Sequence, residues 1–210
     1  TSSLSFEIGR PELGRLLGQI GGVSHGGRVA GLLAEVLGLC ARLQLDERTK
    51  GALELLVGRI GVACEHSVRG LAVFFDQLAA FVQEHGDGHG NQYDVRLRVS
   101  QALRVQPAWD AVEIAWDNAQ TPLKAVLDGA DRLSRVLAEL GQQGTAESAD
   151  LQMQLQGAVS ALREAVGQIG VLVSEATPRS HVYWLAARNR NHGGRNDGVS
   201  LPMAPVRVGP

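Results

Sequence analysis

Apolar residues recur at every third or fourth position over three stretches, each far longer than a β-strand. The first holds Leu53, Leu56, Ile60, Cys64, Val68, Leu71, Phe75, Leu78 and Val82. The second runs through Trp109, Val112, Trp116, Ala119, Leu123, Val126, Ala130, Leu133, Leu137 and Leu140, and the third through Leu151, Leu155, Ala158, Leu162, Val166, Ile169, Val173 and Ala176. This spacing lays one apolar stripe along a helix of 3.6 residues per turn, and such stripes must cover one another. The first stretch predicts a helix on the order of 55 Å long, with Asp46 as its cap and the run His85-Gly86-Asp87-Gly88-His89-Gly90 as its stop. Pro122 predicts a bend near Thr121 in the second. The turn Gly141 to Gly144 is short enough to make its two flanking helices antiparallel neighbours.

Two shorter helices precede these. Pro11 opens one over about 11–20, and Val29, Leu32, Val36, Cys40 and Leu43 mark another over roughly 28–45, after the pairs Gly21-Gly22 and Gly26-Gly27. Period-two alternation predicts extended segments near 3–8, 93–99, 182–186 and 199–201. Trp, Tyr and Phe make up only 4% of the chain, so the core is aliphatic, which favours helix on helix over a sandwich. The expected fold is mainly α: one domain over 1–210, a bundle of long antiparallel helices over about 11–176, with a small antiparallel sheet at its base. Extended segments that meet there describe an insertion leaving and re-entering a host domain. The start at Thr1 and the extended close Val208-Gly209-Pro210 suggest a piece of a longer polypeptide.

Cys40 and Cys64 are too few for a disulfide framework, a four-cysteine zinc site or an all-cysteine iron–sulfur cluster, and they suit a reducing cytoplasm. No stretch approaches the roughly 18 consecutive apolar residues of a membrane span. The net charge of -2 conceals a polarity: residues 1–90 sum to -2, 91–104 to +2, 105–176 to -6 and 177–210 to +4.

Catalytic chemistry finds little support. The glycine pairs lack the Gly-Lys-Ser/Thr of a phosphate loop. His85, Asp87 and His89 stand close enough in sequence to suggest a metal, but a polar turn at a hairpin tip has the same composition, and turn is our reading. Cys64 falls on the apolar stripe as a buried thiol, with His66 on another side of the helix. Asp110, Glu113, Asp117, Asp128 and Asp131 spread along solvated faces.

The basic segments are more informative. Arg96 and Arg98 share one face of the middle extended segment, Arg104 follows it, and Arg179, Arg188, Arg190, Arg195 and Arg207 stand among His181, Tyr183 and Trp184. Guanidinium groups pair with phosphates and bases stack on rings, the combination that single-stranded nucleic acid requires. The bland alternative is a solubilising loop. On a half-buried strand Tyr183 and Trp184 face opposite ways, so one ring at most is a stacking platform. The acidic helices would repel a nucleic acid and confine contact to the bundle's base.

Leu4-Ser5-Phe6-Glu7, Arg96-Leu97-Arg98 with Trp109 and Val112-Glu113-Ile114-Ala115-Trp116-Asp117-Asn118, Val182-Tyr183-Trp184-Leu185, and Ser200-Leu201-Pro202-Met203-Ala204-Pro205-Val206-Arg207-Val208-Gly209 resemble, in this order, the DinG branch of the XPD-like DNA helicases. The resemblance implies the arch insertion, a non-catalytic helical domain over the single-stranded DNA channel. The parent would hydrolyse ATP with Mg between two RecA-like motor domains, which are the arch's partners within the chain. Some bacterial members carry an exonuclease domain upstream. The present sequence has no Walker A motif, no Asp-Glu-Ala-His box and no set of four cysteines, so ATP binding and any iron–sulfur cluster would lie outside it. The expected DNA contacts are Arg96, Arg98, Arg104, Arg179, Arg188, Arg190 and Arg195, with Trp184 for stacking. The other reading of the same residues is a helical protein-interaction scaffold that binds no nucleic acid.

Overall fold

The computed structural model describes residues 6–22, 29–43, 45–86, 95–142, 146–174, 182–187 and 199–204. The element order is β1 (Phe6–Gly9), α1 (Arg10–Ile20), α2 (Gly31–Arg42), α3 (Glu47–His85), β2 (Val95–Val99), α4 (Gln101–Arg104), α5 (Pro107–Gln142), α6 (Ala146–Ser174), β3 (Val182–Ala187) and β4 (Val199–Ala204). The protein is mainly α, as the apolar spacing requires, and its long helices pack antiparallel. Two compact units divide the chain: one comprises Thr1–Leu13, Gly70–Asn118 and Ala165–Pro210, the other Gly14–Arg69 and Ala119–Glu164.

In the first unit, Phe74 of α3 meets Trp116 of α5 with ring centroids 5.1 Å apart, and Phe81 meets Trp109 edge-on at 4.9 Å. A step of seven residues forward on α3 is a step of seven backward on α5, which is antiparallel packing two turns long. Trp109 and Trp116 are both fully buried. The Trp109 indole N–H donates to the Val173 carbonyl of α6 at 3.4 Å, giving the ring's polar end a partner inside the core. Arg10 and Asp76 form an ion pair at 3.6 Å.

The same unit holds the four strands, in the order β1-β4-β3-β2, with every neighbouring pair antiparallel. Ile8, Leu97, Val99 and Leu185 are buried. Arg98 lies between two of them on β2 and is exposed. The alternation gives the sheet one face against the core and one toward water.

In the second unit, Ile60 of α3 packs against Gly129 of α5 so closely that a Cβ on residue 129 would stand 2.7 Å from Ile60 Cγ1. Arg163 of α6 bonds Asp131 of α5 at 2.8 Å, and Gly141 faces Ser148, so α5 and α6 also run antiparallel. Asp46 caps α3: its carboxylate accepts the Thr49 N–H at 3.0 Å and the Thr49 hydroxyl at 2.6 Å. Buried Ser67 donates to the Ala63 carbonyl one turn back, at 2.8 Å, so its hydroxyl is satisfied within the helix.

Several expectations change in detail. The helix expected over 28–45 is α2, shorter at both ends: Ala30 is extended, Gly31 takes φ +61°, and Leu43 is extended again. Val68, on the expected apolar stripe, is exposed, while Val57, Phe74 and Phe81 are buried beside that stripe. The four-residue α4 is too short to produce any periodicity, and Ser100 caps it by accepting the Leu103 N–H at 3.4 Å. α5 continues as helix through Pro122.

Candidate nucleic-acid interface

The pairing register assembles the sheet's rows from residues remote in sequence. Arg98 of β2 stands directly opposite Trp184 of β3, and Arg96 opposite Ala186. Leu97 opposite Leu185 is the intervening row, and both of its residues are buried. Directly opposed residues form a cross-strand row, so Arg98 and Trp184 make one row and Arg96 and Ala186 another. Ala186 is in turn opposite Ser200 of β4, and Ser200 opposite Gly9 of β1. A row that begins with an arginine on the outer strand therefore continues through three small residues. β2 is an edge strand, and on it charged positions alternate with buried ones.

Arg98 is exposed, and its cross-strand neighbour Trp184 is the aromatic residue expected to stack. Arg104 behaves differently. It lies at the end of α4, and its Nε, Nη1 and Nη2 are all buried, so in this fold its guanidinium is turned away from any phosphate in solvent. Arg179, Arg188, Arg190 and Arg195 lie outside the described residues. The row Arg96, Ala186, Ser200, Gly9 is what sequence reasoning missed beside the candidate residues. No local signal could have found it, because only strand register joins those four positions.

The other chemical candidates resolve as structure. Burial pushes the Cys64 thiol up to about 12, so it is a neutral thiol at physiological pH and a poor nucleophile. Burial, with Glu54 adding to it, also raises Cys40. His85 ends α3 with its ring stacked on Phe81 at 4.3 Å and its Nδ1–H donating to the Phe81 carbonyl at 3.1 Å. Asp87 and His89 lie outside the described residues, among which no group of three His, Cys, Asp or Glu side chains could hold a metal ion. Asp110, Asp117, Asp128 and Asp131 are exposed, as surface charge should be, with Asp131 held by Arg163. Among the described residues no helix is long and apolar enough to cross a membrane. No protein-family model, curated protein or solved structure matches the chain.

Proposed function

We propose that this chain is a non-catalytic, arch-type module of a DinG-like ATP-dependent DNA helicase, working in the cytoplasm in DNA repair or replication, whose sheet contacts single-stranded DNA. The observation that carries this reading is the register of β2 against β3: exposed Arg98 opposite Trp184, with Arg96 two residues earlier on the same strand. A guanidinium and an indole on one row can engage a phosphate and its base together, and every base offers a π-face, so contact of this kind needs no particular sequence. The helices supply rigidity and no chemistry. ATP and Mg belong to motor domains outside this sequence, which contains no phosphate-binding loop.

The test is to express the parent polypeptide and follow ATP hydrolysis with and without single-stranded DNA, beside a version in which a short linker replaces residues 30–175. The reading expects a DNA-stimulated ATPase that continues to hydrolyse but no longer unwinds once the bundle is removed. A parent without DNA-stimulated hydrolysis overturns it. The second reading, a helical scaffold for a protein partner, draws on the exposed aliphatic side chains Leu55, Val62 and Val68 along α3 in the second unit. Unwinding that survives removal of the bundle would favour it.

A further inference from the structure

We draw no further inference here: the strongest candidate, the apolar cavity of about 310 Å³ in the second unit between α1 and α3, lined by Gly14, Leu17, Gly18, Cys64, Glu65 and Val68, carries nothing because nothing in the structure shows what covers it.

Discussion

A methyl group at position 31 would meet the end of α1. Gly31 has φ +61°, and a Cβ there would lie 2.6 Å from the Gln19 carbonyl oxygen, 2.7 Å from that of Gly18 and 3.1 Å from that of Ile20. All three obstacles are backbone atoms at the close of a helix, so no side-chain rotation relieves them. Left-handed backbone costs an alanine about 1–2 kcal/mol, and forcing a carbon into a packed site costs about 1–3 kcal/mol more. Gly31→Ala should therefore destabilise the protein by about 2–5 kcal/mol, against a total stability of about 5–15 kcal/mol for a typical domain. With a urea slope of about 2 kcal/mol per molar, the midpoint should fall by about 1–2.5 M, read by circular dichroism. Gly157→Ala is the matched control. It changes an exposed glycine inside α6 with open space around it, and should gain up to about 1 kcal/mol from helix propensity alone. If Gly31→Ala unfolds at the wild-type urea concentration while Gly157→Ala shifts as expected, the packing of α2 against the end of α1 is wrong.

Three further outcomes follow from the packing and the caps. Gly129→Ala sets a propensity gain of about 1 kcal/mol against the 2.7 Å approach to Ile60 Cγ1; the single variant should be destabilised, and in a double-mutant cycle with Ile60→Ala the two changes should cost less than their sum, whereas strict additivity would deny the contact. Cys64, protonated until about pH 12, should resist iodoacetamide in the folded protein at neutral pH and react once denatured; rapid native labelling counted by mass spectrometry would contradict its burial. Asp46 is held below its ordinary 3.8, first by the Thr49 hydroxyl and then by the Thr49 N–H. A carboxylate depressed in the folded state contributes stability that is present above its unfolded value and lost as pH falls through the folded one. Asp46→Ala should thus lower the thermal midpoint at neutral pH, with the gap to wild type closing as pH drops below 3.8; a gap that is unchanged in acid would remove the cap from the account.

How much of this was legible in the sequence follows the range of the forces involved. α5 could be read almost whole, because each residue of its expected stripe from Trp109 to Leu140 is buried: burial on one helix face is a local, periodic demand. α3 was legible in extent and less so in rotation. The bulky indoles of α5 engage Phe74 and Phe81, and Val68, a regular member of the spacing, is left in water. The start of α2 escaped because Gly31 lies against the carbonyls at the close of α1, which no propensity reports. The four extended segments were visible as alternation, and their positions 6–9, 95–99, 182–187 and 199–204 lie close to those expected. Their register was not visible, and register is what puts Arg98 opposite Trp184. Arg104 illustrates the same limit from the other side: charge and proximity to β2 recommended it, and only the fold reveals its nitrogens as buried.

Contact between single-stranded DNA and the row of Arg98 and Trp184 is tested most directly by the salt dependence of binding. Affinity of the protein for a fluorescent oligothymidylate should be measured by anisotropy across a range of salt concentrations for wild type, Arg98→Gln and the pair Arg96→Gln with Arg98→Gln. Each lost phosphate contact to a single strand should lower the magnitude of the log–log slope by about 0.7. The pair should therefore lose about 1.4, with no change in preference among oligonucleotides of different base composition. Because Trp109 and Trp116 are fully buried, DNA should quench tryptophan emission only through Trp184, and Trp184→Phe should abolish that quenching. Slopes identical in all three proteins, with quenching that persists in Trp184→Phe, would contradict the account and leave the sheet as scaffold alone.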